Sequence, residues 1–167
     1  LFVPNTAYFI TGATYQKSIL FNNPAKLDFL MMSIFEEMGR FDWRLLAWSV
    51  MANHYHLVAI SPEDSKTLEK MMQSLHSRSA RWLNDQDKQP GRKVWYQYRD
   101  TCLTYAKSFY ARLHYTHKNP QKHGIVQDAS LYPWCSMAWF EQNTEEHERE
   151  NVLGCPIDRL NIADDFD

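Results

Sequence analysis

Hydrophobic and polar positions along the chain switch between two periods, and the switches mark the elements. "TAYFITGATY" (residues 6–15) is dense in β-branched and aromatic residues and predicts a strand. "NPAKLDFLMMSIFEEMG" (23–39) has Pro24 near a helix start, Leu27, Leu30, Met31, Ile34, Phe35 and Met38 at helical spacing, and a stop at Gly39. Strand period returns in "FDWRLLAWSVM" (41–51) and "HYHLVAI" (54–60). With only Ala52 and Asn53 between them, these two predict a β-hairpin. After Ser61-Pro62, residues 65–84 predict a second amphipathic helix with Leu68, Met71 or Met72, Leu75 and Trp82 as its stripe. Residues 85–91 read as a loop, "KVWYQYR" (93–99) alternates as a fourth strand, and "TYAKSFYARLHYTHK" (104–118) predicts a third helix. Short turns, "YPWCSMAWF" and an acidic tail complete the chain.

The order β-α-β-β-α-β followed by a helix is that of a ferredoxin-like split βαβ sandwich, an α+β fold. Two helices would cover one sheet face and leave the other free for a site. At 167 residues one domain with a sizeable core is expected. Apolar residues make up 44% and charged residues 23%, the balance of a globular protein and not of a disordered one. No apolar stretch approaches the roughly 18 residues a membrane helix needs. Cys102, Cys135 and Cys155 are odd in number and form no C-x-x-C pair, so neither a disulfide framework nor a thiolate zinc site is suggested, and a reducing cytoplasm is expected. The first residues lack a basic region followed by a signal-type apolar run; the chain opens on Leu1, as expected if it was trimmed or its true start is missing.

The net charge of −2 conceals an asymmetry. Residues 1–140 hold 16 Lys and Arg against 11 Asp and Glu, whereas residues 141–167 hold 2 against 9. Between 66 and 122 there are 12 basic and 4 acidic side chains, interleaved with Trp82, Trp95, Tyr96, Tyr98 and Tyr105. Such a surface can track phosphates and stack bases. A solvated charged face is the plainer reading of the same composition.

On a strand, alternate side chains share a face, so His54 and His56 project together while Tyr55 points the other way. Their ring nitrogens can meet at one metal, although two polar residues on an open sheet face would look the same in sequence. A third ligand must come from elsewhere. On the third helix, Leu103, Ala106, Phe109, Tyr110, Leu113 and His117 form the apolar stripe, and Tyr115 and Asn119 fall outside it. Tyr115 is a candidate nucleophile, or simply a core or surface tyrosine. Asn119, one turn on, can offer an oxygen to a metal. Pro120 disfavours the α conformation at Asn119, so the helix is expected to end there.

At this point the chain resembles the single-tyrosine HUH transposases, and within them the REP-associated tyrosine transposases. "VMANHYHLV" is similar to the strand that carries the family's two metal-binding histidines. "YTHKNPQKHGIV" (115–126) resembles the segment that begins with the nucleophilic tyrosine. "YFITGATYQKSILF" (8–21), "VWYQYRD" (94–100) and "LYPWCSMAWF" (131–140) match its opening strand, aromatic strand and Y-P-W segment. Tyr55 stands where an aliphatic residue is usual. The resemblance implies a catalytic domain over residues 1–140, with 141–167 as an acidic tail outside the shared pattern. That tail would be a solvated end, or a DNA mimic covering the basic groove.

The resemblance further implies a nuclease that nicks single-stranded DNA beside imperfect hairpins. His54 and His56 would hold Mg²⁺ or Mn²⁺, Asn119 would complete the site, and Tyr115 would attack phosphorus to give a 5′-phosphotyrosine link. The protein would act close to the nucleoid, with monomer favoured over homodimer. Candidate DNA contacts are Lys66, Lys70, Arg78 and Arg81 on the second helix, and Arg92, Lys93, Arg99, Lys107, Arg112, Lys118 and Lys122 beyond it. Two rivals remain: a transposase-derived hairpin binder that no longer cuts, and a water-using metal hydrolase drawing a third ligand from His114, His117 or His123. A two-histidine phosphoesterase is disfavoured because His54-Tyr55-His56 does not supply its second H-x-T.

Overall fold

In the computed structural model, which describes residues 4–64, 67–158 and 160, nine main elements follow in order. They are β1 (Ala7–Ala13), α1 (Pro24–Arg40), β2 (Arg44–Val50), β3 (His54–Ile60), α2 (Thr67–Asp87), β4 (Arg99–Leu103), α3 (Ala106–Lys122), α4 (Met137–Asn143) and α5 (Glu146–Leu153). The strands form one antiparallel sheet in the order β2-β3-β1-β4, the split βαβ arrangement that the alternation of periods predicts. β3 has the predicted bounds and is central, with six of its seven residues buried. α1 starts where Asn23 Oδ1 accepts the Lys26 N–H at 2.9 Å, with Pro24 in its first turn.

Alternation divides the side chains of this sheet between two cores. Tyr8, Ile10, Val50, Tyr55, Leu57 and Ala59 pack against Leu27, Leu30, Ile34 and Met38 of α1 and Leu68, Met71, Met72, Leu75 and Leu83 of α2. Phe9, Ala47 and Val58 pack on the opposite side with Leu113, Tyr115, Met137, Phe140 and Val152. The second face is therefore covered by α3 and the elements after it, not free as expected. The position between residues 140 and 141 falls inside α4, and Val152 of α5 is fully buried, so the acidic segment up to residue 158 continues the packed fold. At the sheet edge, residues 134–136 run along β2: the Val50 N–H donates to Trp134 O at 2.8 Å and the Ser136 N–H to Trp48 O at 2.9 Å. That cover satisfies groups an edge strand would otherwise expose.

Several expectations are corrected. The alternating segment 93–99 is not the fourth strand; β4 lies at Arg99–Leu103, and residues 94–96 make only an isolated bridge, Thr14 to Trp95. Val94 and Trp95 are buried together in the first core, so the pattern there reports a plug and not a ladder. Trp82 stands at the side of α2, stacked on Phe29 of α1 at 4.0 Å between ring centres, while Leu83 takes the core position. α3 does not stop at Asn119: Pro120 lies inside it, and the helix is carried on by His123 N–H to Asn119 O at 3.0 Å before Gly124 (φ 69°) ends it. Finally, α3 lies between the sheet on one side and α4 and α5 on the other, which buries two of its faces. Tyr115 is 3% exposed although it lies outside the apolar stripe, and stripe member Ala106 is exposed.

Candidate active site

β3 delivers His54 and His56 to the α3 side of the sheet and Tyr55 to the other. A residue as large as Tyr55 fits between the histidines because its register partner is Gly12, where an added Cβ would run into Cζ, Cε1 and Oη of the Tyr55 ring. Burial raises the Tyr55 phenol well above its ordinary pKa, so it stays protonated and donates to His76 Nε2 at 2.8 Å. His76 lies flat on Trp95, 4.5 Å between centres, and burial pushes its pKa down to about 4.

Each site histidine is held through Nδ1. Asn53 Nδ2 donates to Lys17 O at 3.3 Å, which orients the amide so that Asn53 Oδ1 accepts the His54 Nδ1–H at 2.7 Å. With that proton on Nδ1, the His54 lone pair is on Nε2. Thr11 Oγ1 lies 2.9 Å from His56 Nδ1. Such outer partners orient histidines that bind metals. The two rings are 5.0 Å apart between centres, and His56 is wholly buried. Burial first, then the charges of His54, His123 and Lys122, hold the His56 pKa well below the ordinary value, so the ring is neutral at pH 7.

α3 supplies the rest from one of its faces. Tyr115 meets the His56 ring edge-on at 5.3 Å and Phe9 at 6.2 Å, while Phe9 stacks on His56 at 5.4 Å. His123, two positions of four further along, meets His54 at 5.3 Å. Asn119 lies between Tyr115 and His123 at the same spacing, and residues four apart share a helix face. Its side-chain amide is wholly buried, with no hydrogen-bond partner for either Oδ1 or Nδ2 among the described residues. A buried amide left in that state is costly, and a cation or a substrate oxygen would relieve it. Lys122 Nζ lies 4.9 Å from the centre of the Tyr115 ring, and the Arg112 guanidinium 5.4 Å from that of Phe9.

His123, Thr11 and Asn53 join the site beyond the residues that sequence reasoning assigns to it. His123 is one of three histidines left open as a third ligand, and the spacing 115, 119, 123 is the signal that separates it from the others. His114 Nδ1 is instead 2.7 Å from Cys155 O, and His117 Nδ1 is 2.7 Å from Ser136 Oγ with its ring stacked on Phe140. Among the described residues no group of three or more His, Cys, Asp and Glu side chains is disposed to hold a metal; the donor of another kind on this face is the Asn119 amide.

The expected DNA contacts divide between the two sides of the sheet. Lys122 and Arg112 flank Tyr115, and Arg99 is on the same face as the histidines, since Thr11 pairs with both His56 and Arg99. Lys107 is exposed in the first turn of α3, and Lys118 Nζ reaches Gln121 Oε1 at 3.4 Å. Exposed Lys93 lies over the Tyr15 ring at 4.4 Å. Lys70, Arg78 and Arg81 belong to α2, behind the sheet; Arg78 is paired with Glu36 and Glu37, and Arg81 Nε donates to Ser77 O. Arg92 is bound to Asp87 at 2.7 Å and Asn84 at 2.9 Å. Lys66 lies outside the described residues. Among the described residues no helix is long and apolar enough to cross a membrane.

The structure is similar to that of a REP-associated tyrosine transposase bound to a REP hairpin, with a TM-score of 0.70 and 16% identity over 86% of this chain and 83% of that one. It is also similar to a protein of Deinococcus radiodurans R1 described as a transposase, with a TM-score of 0.50 and 16% identity over 76% of this chain and 94% of that one. At that identity the likeness concerns the fold. No curated protein sequence matches the chain. The family profile described as "Transposase IS200 like" matches residues 4–119, which span β1 to α3 and hold His54, His56, Tyr115 and Asn119, and the chain thus belongs to the IS200-like transposase family.

Proposed function

We propose that the protein is a metal-dependent single-stranded DNA endonuclease and strand transferase that cuts beside hairpins, with Tyr115 as nucleophile. The observation that carries this reading is the contact of Tyr115 with His56 at 5.3 Å, on the face that also holds His54 and Asn119. Both partners come from one chain, so a single copy can complete the site, which supports action as a monomer.

The donor set fits a divalent cation. His54 and His56 would bind through Nε2, each oriented by its Nδ1 partner, and the orphaned Asn119 amide would offer its oxygen. Imidazoles suit Mn²⁺ better than Mg²⁺, and either serves as the hard cation of a phosphate site. When bound, such a cation polarises a phosphate oxygen and stabilises charge on the leaving oxygen.

The protein's own groups do the rest. Tyr115 Oη attacks the scissile phosphorus; the Oη–P bond forms and the P–O3′ bond breaks, leaving a 5′-phosphotyrosine and a free 3′-OH. The phenol proton passes to water, and the 3′ oxygen takes one up. A phenol with an ordinary pKa near 10 is a weak nucleophile at pH 7, so a cation near the ring matters, and Lys122 is one that the fold supplies. Since Tyr115 is buried, the incoming strand must displace the exposed Lys122 side chain lying over it.

The test is a denaturing gel of the protein mixed with hairpin oligonucleotides taken from around its own gene, with Mn²⁺ or with EDTA. A metal-dependent covalent band that Tyr115→Phe abolishes is expected. Cleavage that survives in the variant would assign the water-using hydrolase instead. Binding without any cleavage would assign the silent hairpin binder.

A further inference from the structure

His117 is wholly buried on α3 and takes no part in the steps above. Tyr115 lies two residues before it and Asn119 two residues after. Each is therefore displaced from it by about 3 Å along the helix axis and about 200° around it. One side of α3 turns the nucleophile and the amide toward the histidines, and the side remote from them carries His117.

Two residues at the start of α4 hold that ring. Ser136 caps the helix and Phe140 follows four positions later on the same face, its N–H donating to Ser136 O at 2.8 Å. The Phe140 ring stacks on His117 at 4.2 Å between centres, and Ser136 Oγ lies 2.7 Å from His117 Nδ1. The hydroxyl is itself fixed, since Oγ accepts the Trp48 N–H at 2.9 Å and donates to Trp48 O at 3.0 Å. With its one proton committed to Trp48 O, Oγ accepts the His117 Nδ1–H. His117 Nε2 has no hydrogen-bond partner among the described residues, so the Ser136 bond is the polar attachment that orients the ring.

Trp48 belongs to β2, and the next residue, Ser49, is the register partner of His56. Ser136 Oγ thus ties α3 to the strand beside that histidine. An apolar side chain at 117 would still stack on Phe140, but the helix could then turn about its axis. A turn of about 10° carries a group at the outer radius, about 6 Å, through about 1 Å. Misplacement by about 1 Å is enough to slow a reaction about a hundredfold.

We infer that His117 and Ser136 are positioning residues for cleavage: the bond between them sets the rotation of α3, and with it the aim of Tyr115 Oη and the Asn119 amide at the site of His54 and His56. Neither residue touches the reacting atoms. The inference rests on the nuclease reading, because it concerns the rate at which Tyr115 attacks.

The test separates the bond from the packing. His117→Phe keeps a ring on Phe140 and loses the donor, whereas His117→Asn loses the ring and brings an amide N–H to the place of Nδ1–H. Covalent adduct formation is timed at saturating hairpin and Mn²⁺, at a temperature where melting curves show each variant folded. Mn²⁺ affinity is read separately by titration of its electron paramagnetic resonance signal, and hairpin affinity by fluorescence anisotropy. The Phe variant is expected to form adduct about a hundredfold more slowly and to bind Mn²⁺ about tenfold more weakly, with hairpin affinity unchanged. The Asn variant should melt lower than the Phe variant and yet recover most of the rate. If His117→Phe does not fold, Ser136→Ala against Ser136→Thr, which keeps the hydroxyl, makes the same comparison.

An unchanged rate or an unchanged Mn²⁺ affinity in the Phe variant overturns the positioning role while leaving the nuclease reading intact. So does activity that follows melting temperature, with the Asn variant the poorer of the two. A wild type that binds Mn²⁺ and hairpin but forms no adduct rejects the nuclease reading, and the inference falls with it.

Discussion

One sheet presents two faces of opposite chemistry. Toward α1 and α2 it buries Tyr8, Ile10, Tyr55, Leu57 and Ala59, and the polar groups of its own strands and of the plug are matched there, Tyr55 with His76 and Trp95 Nε1 with Ser79 Oγ at 2.9 Å, while Ser33 Oγ on α1 has no hydrogen-bond partner among the described residues. Toward α3 the same strands bury Thr11, Ser49, His54 and His56, and α3 itself buries Thr116, His117 and Asn119. Burying polar groups costs free energy unless they are paired, and the Asn119 amide has no hydrogen-bond partner among the described residues. The first face therefore holds the fold together, and the second accepts a cost that a cation or a DNA strand can offset. Alternation along a strand makes this division possible, because neighbours in sequence serve different faces.

The largest test of that division removes one imidazole. His56→Ala should lower covalent adduct formation at least about a thousandfold, a loss on the order of 4 kcal/mol in the barrier, while the melting temperature moves little. A drop in stability matching the loss of activity would show that the second face is structural after all.

Acid should act next, and on the first face. His76 is neutral when folded, with its pKa pushed from 6.5 to about 4 by burial. Between those values the unfolded chain binds a proton that the folded chain refuses, so stability falls as pH is lowered through this window. The loss is about 3 kcal/mol, complete near pH 4. His117, pushed down to about 3 by burial, acts in the same direction. Urea unfolding at successive pH values should show a shallower decline for His76→Gln, which keeps an acceptor for the Tyr55 hydroxyl; an unchanged slope would remove His76 from the account.

A smaller effect is expected where the faces share a backbone. Gly12→Ala pushes a methyl into the Tyr55 ring and should cost about 2 kcal/mol, recovered in part by Tyr55→Leu in the same chain. Additive losses in the double variant would mean the two positions are not in conflict. Smallest of all, Arg78→Ala removes a half-exposed ion pair with Glu36 and a longer contact with buried Glu37, which keeps Arg40 at 3.7 Å, and should change stability by less than about 1 kcal/mol in thermal melts. A larger loss would give that outer surface more weight than its exposure allows.

The parts that local pattern controls are legible in the sequence. β3 has the bounds its alternation predicts, α1 is shifted by one residue at each end, and His54 and His56 share a face because strand period leaves no other choice. Surroundings are not legible in the same way. Segment 93–99 alternates like a strand because Val94 and Trp95 fill a hole in the first core. Tyr115 lies off the apolar stripe and is buried all the same, because α3 has neighbours on two sides and a single-stripe pattern describes a helix with one. Pro120 predicts a stop, yet it lies in the final turn, where one missing N–H interrupts little of the helix.

The sequence by itself determined the order of the elements as far as α3, the split βαβ topology and the pairing of the two histidines, since each follows from periodicity over a few residues; the helices α4 and α5 were not legible in it. Tertiary structure alone decided that Tyr115, Asn119 and His123 come down over β3, and that Gly12 makes room behind it for Tyr55. It alone left Arg99 without a carboxylate partner among the described residues while Arg78 found carboxylates on α1. Those outcomes depend on which surfaces meet after long excursions of the chain, and no local period records which surfaces will meet.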